Sequence, residues 1–85
     1  MANADHLAKL MEGIEAWNLW REQDQNLIPE LSEAELAGAN LRGANLSGAN
    51  LHGAYTDNAY IGNAYLDETN LSGVNLNKAD FIDIG

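Results

Sequence analysis

The sequence predicts a solenoid, a coil of short repeated units, preceded by an α-helical segment. From position 31 to position 85 the chain divides without a gap into eleven pentapeptides, nearly all with a large apolar residue first and a small residue fourth. Before them, apolar residues recur at helical spacing. A fixed short period is typical of architectures whose units stack on one another. We therefore divide the chain into an N-terminal capping helix with its connector, residues 1–30, and a repeat domain, residues 31–85.

The period of five is the feature that excludes a straight helix or a flat strand. The first position is apolar in ten of the eleven units, Thr56 being the exception, and the fourth is alanine in eight. On an α-helix, residues five apart rotate by about 140° and form no stripe, and in a flat strand an odd spacing alternates between the two faces. A bend in every unit removes both objections. Glycine at the third position of five units, and Asn58 and Asn63 at the same position, favour such a bend because both residue types tolerate positive φ.

The run LRGANLSGANLHGAY resembles the A(D/N)LxG signature of the pentapeptide-repeat proteins, and the resemblance extends over residues 31–85. It implies an all-β solenoid, a right-handed quadrilateral β-helix with four pentapeptides in each coil, which gives about 2.75 coils here. The first residues of the units then stack in four core columns. Thr56 is the weak point of these columns, because an unpaired buried hydroxyl costs about 1 to 3 kcal/mol, and we expect it to bond a backbone carbonyl. The core columns contain Leu31, Leu36, Leu41, Leu46, Leu51, Thr56, Ile61, Leu66, Leu71, Leu76 and Phe81.

The segment before the repeats predicts one amphipathic helix from Ala4 to about Arg21. Asn3 or Asp5 is suited to cap its start, and Gly13 weakens its middle. Its run WNLWR resembles a WNxWR segment that precedes the repeats in cyanobacterial members of the family. A solenoid leaves unpaired backbone groups at its open end. We expect the helix to cover that end with Leu10, Ile14, Trp17 and Trp20.

Catalytic chemistry is not indicated by the residue inventory. His6 and His52 are the only imidazoles, and neither has neighbours at metal-ligand spacing, so both are interpreted as solvated surface residues. The adjacent acids Asp67 and Glu68 occupy outward positions of a repeat. We expect no enzymatic activity, no metal or other cofactor and no small-molecule substrate.

Composition limits the location and the partners of the chain. Thirteen acidic residues against four basic ones give a net charge of −9, which argues against direct binding to nucleic acid or to an anionic membrane. There is no cysteine, no apolar run of membrane-spanning length and no basic-then-apolar leader at the N-terminus. We expect a cytoplasmic protein.

Two apolar features are candidates for contact with a protein partner. Tyr55, Tyr60 and Tyr65, the tyrosine belt, stand at a fifth position that holds Asn, Asp or Glu in every other unit but the last, which ends in glycine. Tyrosine is enriched at protein interfaces. The alternative is that these phenols lean over neighbouring coils and shield their backbone. At the C-terminus, Phe81, Ile82 and Ile84 bring bulky side chains to a coil with no polar cap. Either that end pairs with another molecule, or the chain is a piece of a longer protein.

The sequence therefore predicts a non-enzymatic module for protein–protein interaction or assembly, with a dimer through the C-terminal coil as one form of assembly. The alternative is a DNA mimic that binds a type II topoisomerase, a role the resemblance also implies. A strand spacing of about 4.8 Å makes the repeat rod only ~13 Å long. That length equals about four base pairs of duplex, so mimicry needs a longer assembly.

Overall fold

The computed structural model describes residues 1–79, and it begins with two helices, α1 (Ala4–Met11) and α2 (Ile14–Gln23). The prediction of one continuous helix to about Arg21 is therefore wrong. The break lies at Gly13, whose φ of 120° and ψ of 164° are far from helical values. Positive φ of this kind is open to glycine and strained for other residues. The carbonyl of Gly13 then accepts the first hydrogen bond of α2, from the N–H of Trp17 at 3.0 Å.

The first helix is capped by a side chain that precedes it. Asn3 has extended backbone angles, and its side-chain oxygen accepts hydrogen bonds from the N–H groups of Asp5 and His6. Asp5 in the first turn and Lys9 in the last place charges that complement the helix dipole. Of the two capping residues suggested by the sequence, Asn3 is the one used.

From position 30 onward the described chain contains isolated parallel bridges and no continuous strand. Every bridge joins residues twenty positions apart, so the chain lies alongside itself again after four pentapeptides. We call the fifth position of each unit, together with Glu30, a bridge residue. Strands do not grow longer because a turn occupies part of every unit. The bridges are Glu30 to Asn50, Glu35 to Tyr55, Asn40 to Tyr60, Asn45 to Tyr65, Asn50 to Asn70 and Tyr55 to Asn75.

The turn has the same form in each described pentapeptide. In every unit from residue 31 to residue 79 the third residue has positive φ, whatever its type. Glu33, Glu68 and Lys78 adopt φ values of 59° to 61° there, beside the glycines and asparagines. The N–H of the fourth residue donates to the carbonyl of the first, as from Ala34 to Leu31 at 3.1 Å. Positive φ at the third residue alone is the pattern of a type II turn.

The core lies inside the coils and is built from the first and fourth positions. Seven successive first positions, from Leu31 to Ile61, are buried, and alanines at the fourth position pack between them. Burying a leucine stabilises the fold by about 1.5 to 3 kcal/mol. Leu66 is half-buried, whereas Leu71 and Leu76 are 37% and 40% exposed. The expectation that these two leucines are core residues is wrong for the last described coil, where no coil lies beyond them in the described part. Phe81, the last member of the columns, lies outside the described residues.

Thr56 is buried in the column between Leu36 and Leu76. Its hydroxyl donates to the carbonyl of Asn75 at 2.6 Å, and its backbone N–H reaches the same oxygen at 3.2 Å. The hydroxyl therefore has the backbone partner that its burial requires.

Candidate interaction surfaces

The first coil, residues 30–49, presents backbone groups toward the N-terminal end of the solenoid. In each bridge the residue of the later coil bonds backward through its own N–H and C=O, as Asn50 does to Pro29 and Leu31 at 2.8 Å. The bridge residues of the first coil have the same orientation but no earlier coil to bond. We call these outward groups of Glu30, Glu35, Asn40 and Asn45 the N-terminal edge, one residue for each side of the coil.

On the Asn45 side, the edge is closed by the side chain of Asn18 in α2. The N–H of Asn45 donates to Asn18 Oδ1 at 2.8 Å, and Asn18 Nδ2 donates to the carbonyl of Gly43 at 3.0 Å. The Asn18 oxygen thereby takes the place of the backbone carbonyl that accepts from the later residue in a parallel bridge, and the Asn18 nitrogen adds a bond to the adjoining turn.

Trp17 and Arg21 complete that side. Trp17 is fully buried, and its indole N–H donates to the carbonyl of Asn45 at 2.8 Å. Arg21 Nη1 donates to the same oxygen at 2.9 Å, and its Nη2 donates to the carbonyl of Ser47 at 2.8 Å. The guanidinium lies in a largely buried position, and this burial lowers the pKa of Arg21. A planar donor group with several N–H bonds suits two carbonyls at once.

On the Glu30 side, the edge is closed by the start of α1. The carbonyl of Glu30 accepts from the N–H of Asn3 at 2.9 Å, and the N–H of Glu30 donates to His6 Nδ1 at 2.9 Å. The imidazole also packs against Trp20, with ring centroids 5.2 Å apart. The interpretation of His6 as a solvated surface residue is therefore wrong. Its Nδ1 accepts a bond, so the neutral ring carries its proton on Nε2.

The remaining cap residues pack rather than bond. Leu10 is buried, Ile14 and Trp20 are half-buried, and the rings of Trp17 and Trp20 lie 5.0 Å apart. Two helices at the N-terminal end thus cover two sides of the first coil.

The carboxylate of Glu30 is held by a small polar network on the same side. Hydrogen bonds from Ser32, first from its side chain and then from its backbone N–H, together with the Asn50 amide, lower the pKa of Glu30. The Ser32 N–H lies 3.1 Å from Glu30 Oε1, and Asn50 Nδ2 lies 3.2 Å and 3.1 Å from the two carboxylate oxygens. Asn70 continues the stack by donating to Asn50 Oδ1 at 3.3 Å.

The tyrosine belt is placed on three sides of one coil, as bridge residues, with all three side chains exposed. Tyr55 bridges Glu35, Tyr60 bridges Asn40, and Tyr65 bridges Asn45. The guanidinium carbon of Arg42 lies 4.6 Å from the centre of the Tyr60 ring. The rings therefore do not form one continuous flat patch.

The far end of the described solenoid is more open than its start. Leu71 and Leu76 are exposed, and Val74 is half-buried between them in sequence. Phe81, Ile82 and Ile84, the other proposed interface residues at this end, lie outside the described residues.

Groups that could carry chemistry are sparse in residues 1–79. His52 is exposed, and its Nδ1 lies 2.7 Å from Ser72 Oγ, itself bonded to Asn70. In this part of the chain no pocket is enclosed, and no three residues of the His, Asp and Glu types gather closely enough to hold a metal ion. No helix within the same range has the length and apolar character needed to cross a membrane.

Comparison with known families assigns the repeat. The model of the pentapeptide repeats matches eight copies over residues 30–55 and 57–83, which is more than half of the chain. The chain belongs to the pentapeptide-repeat family. No match is found among the curated proteins or among the solved structures that were compared. Membership in this family is consistent with a non-enzymatic interaction module, and pentapeptide repeats in general imply a β-helix solenoid.

The residues of this pentapeptide-repeat protein that sequence reasoning missed are Asn18, Arg21 and His6. Each is polar and was not expected to seal the end of a coil. The signal for the first two was present, because both belong to the WNLWR run. For His6 there was no signal, since its partner is a backbone N–H located 24 positions away.

Proposed function

We propose that this pentapeptide-repeat protein is a non-enzymatic assembly module of the cytoplasm that self-associates through its C-terminal coil. The observation that carries the proposal is the exposure of Leu71 and Leu76 at positions that are buried in every earlier coil. Leu31 and Leu51 stack below Leu71 in sequence register and are 0% and 3% exposed. Apolar groups of this kind gain about 25 cal/mol for each Å² that a partner removes from water.

The two ends differ in a way that limits the kind of assembly. At the N-terminal end Trp17, Asn18 and Arg21 already occupy the backbone of the first coil. A second solenoid stacking head to tail would have to displace them. Association of two C-terminal ends leaves both caps in place and closes at a dimer, in keeping with the two-fold symmetry that most homo-oligomers adopt.

The proposal includes the finer geometry, a right-handed quadrilateral β-helix of about 2.75 coils. The twenty-residue spacing of all bridges supports four sides for each coil. The WNLWR run, now seen to bond the first coil through three of its side chains, supports a place among the cyanobacterial members that carry this segment.

Light scattering over a wide concentration range tests the self-association. We expect a dimer for the natural chain and a monomer for Leu71→Glu, because two copies of the new carboxylate would face one another in a buried contact. The matched control is Leu19→Glu, which places the same change at an exposed leucine of the cap. A natural chain that stays monomeric at all concentrations contradicts the proposal, as does a Leu71→Glu variant that still dimerises. A gyrase supercoiling assay with the natural chain tests DNA mimicry, and inhibition there would favour the topoisomerase alternative.

A further inference from the structure

The cap covers two of the four sides of the N-terminal edge. The backbone groups on the other two sides, at Glu35 and Asn40, are the candidate surface for a partner. Asn3 and His6 occupy the Glu30 side, and Asn18, Trp17 and Arg21 occupy the Asn45 side. Among the hydrogen bonds of residues 1–79, none uses the backbone N–H or C=O of Glu35 or of Asn40. Both residues are exposed.

The geometry of the second coil shows what these groups are shaped to accept. Tyr55 lies beside Glu35 in a parallel bridge, with Tyr55 N–H to Ala34 C=O at 2.9 Å and Leu36 N–H to Tyr55 C=O at 2.7 Å. The backbone N–H and C=O of Glu35 itself point the other way, toward the N-terminal end, and offer one donor and one acceptor with the same spacing. An extended peptide that passes along this side would bond Glu35 in the same manner.

This part of the edge lacks lysine and proline, two of the residue types that natural proteins use to protect a free edge, and its one charged side chain is Glu35. Residues 34–40 read AELAGAN and contain neither lysine nor proline. Exposed edges without such residues are templates for pairing with another chain. On the Glu30 and Asn45 sides, side chains and one backbone N–H of the cap already bond the edge. Groups that approach from the N-terminal end can therefore reach these backbone atoms.

The charge around the edge selects the partner. Glu33 and Glu35 are exposed carboxylates two residues apart, in a chain whose net charge is −9. Glu33 lies 3.6 Å from the amino group of Met1, whereas Glu35 has no ion-pair partner within the described range. Side chains of neighbouring strands in register lie side by side. A lysine or arginine of an added segment would therefore stand next to the Glu35 carboxylate.

We propose that the backbone of Glu35 is a docking edge for a segment of a partner protein that is extended where it pairs with Glu35, places a basic side chain beside the Glu35 carboxylate, and bends with the coil to reach the backbone of Asn40. The site gives the proposed interaction module a second surface, at the end opposite to Leu71 and Leu76. It rests on the role of the chain as an interaction module, but it does not depend on self-association.

The experiment uses a short capped peptide of alternating threonine and lysine as the probe and amide-resolved NMR of the full chain as the readout. At saturation we expect hydrogen exchange at the Glu35 and Asn40 amides to slow by about fivefold or more, the equivalent of one backbone hydrogen bond. The Glu30 and Asn45 amides, which are already bonded, serve as internal references. A peptide of alternating threonine and glutamate should bind more weakly.

Two substitutions separate the backbone contribution from the charge. Glu35→Pro removes the free N–H without breaking a hydrogen bond of the fold, because proline is tolerated at an edge, and should weaken binding of the lysine peptide by about fivefold or more. Glu35→Gln keeps the N–H and should weaken it less. Unchanged exchange at Glu35 and Asn40 in the natural chain overturns the proposal even if Glu35→Pro does not fold.

Three further results have a definite meaning. Equal binding by Glu35→Pro and the natural chain overturns the proposal, and so does a set of shifted amides confined to residues 71–79. If exchange at the Glu35 amide is already slow in the natural chain without peptide, but only at concentrations where the chain is dimeric, the edge is occupied by a second copy and the proposed partner segment is overturned. Peptide binding by Leu71→Glu, tested in parallel, supports the edge whether or not the C-terminal coil dimerises.

Discussion

The side-chain oxygen of Asn18 holds the backbone N–H of Asn45 as the carbonyl of a preceding coil would. This oxygen accepts from Asn45 N–H at 2.8 Å, and the side-chain nitrogen donates to the Gly43 carbonyl at 3.0 Å. The end of a β-solenoid is a line of unpaired donors and acceptors, and a helix has no free backbone groups along its length to match them. Side chains of asparagine, tryptophan and arginine supply the missing groups here. Four testable predictions follow from the cap, the core and the polar network.

Replacement of Asn18 by alanine should lower the free energy of unfolding by about 1 to 3 kcal/mol, because two partly buried backbone groups lose their partner. Asn18→Asp should be at least as damaging at neutral pH, since a carboxylate would face the Gly43 carbonyl and could not donate. Urea denaturation followed by circular dichroism measures both. Asn26→Ala, at an exposed position whose side chain makes no described hydrogen bond, is the control and should change stability by less than about 0.5 kcal/mol. Equal effects at positions 18 and 26 would contradict the role of Asn18.

Arg21→Lys tests the two-carbonyl contact of the guanidinium with Asn45 and Ser47. Lysine keeps the positive charge but lacks the planar fork that reaches both oxygens. We expect a loss of about 1.5 to 3 kcal/mol of stability, the range for a hydrogen bond to a charged group. The comparison is Lys9→Ala, which removes a partly exposed ion pair with Glu12 and should cost less than about 1 kcal/mol. If Arg21→Lys unfolds at the same denaturant concentration as the natural chain, charge alone accounts for the contact.

The core columns should respond to substitution according to their depth. Leu46→Ala, at a side chain with 1% exposure, is expected to cost about 2 to 5 kcal/mol through lost burial and a cavity. Leu76→Ala should cost less than half as much, because its side chain is already partly in water. Thr56→Val should change stability by less than about 1 kcal/mol, since the Asn75 carbonyl keeps the Thr56 backbone N–H. Thermal unfolding of the three variants gives the order, and a cost for Leu76→Ala equal to that of Leu46→Ala would show that the last described coil is covered in solution.

The pH dependence of stability should contain a contribution from Glu30. Its pKa in the folded state is lowered from the ordinary value of 4.5 by Ser32 and Asn50, so the folded state favours the charged form. The stabilisation is complete above pH 4.5 and is lost as the pH falls through the lower folded value. Glu30→Gln should therefore reduce stability at neutral pH and flatten the acid limb of a plot of unfolding free energy against pH. Glu22→Gln is the matched control at an exposed position of α2, and an equal flattening by that control would contradict the assignment.

Sequence by itself determined the repeat, the positions of the turns and the buried columns as far as Ile61. These follow from local requirements: apolar residues at the first position need burial, and the third position needs positive φ. Residue type alone predicted fewer turns with positive φ than the structure contains. Glu33, Glu68 and Lys78 adopt positive φ although they are neither glycine nor asparagine. Packing of successive units over-determines a conformation that their own preference opposes by about 1 to 2 kcal/mol.

Tertiary structure alone decided which backbone groups at the N-terminal end of the solenoid are bonded by the cap. The bonds of His6, Asn18 and Arg21 join positions 24 to 27 apart, and their partners are backbone N–H and C=O groups, which carry no mark of residue type. The WNLWR run marks the capping segment, but no pattern of side chains along the chain indicates which peptide groups of the coil it will bond. That outcome depends on where two helices lie, and their placement leaves the edge at Glu35 and Asn40 open while it closes the edge at Glu30 and Asn45.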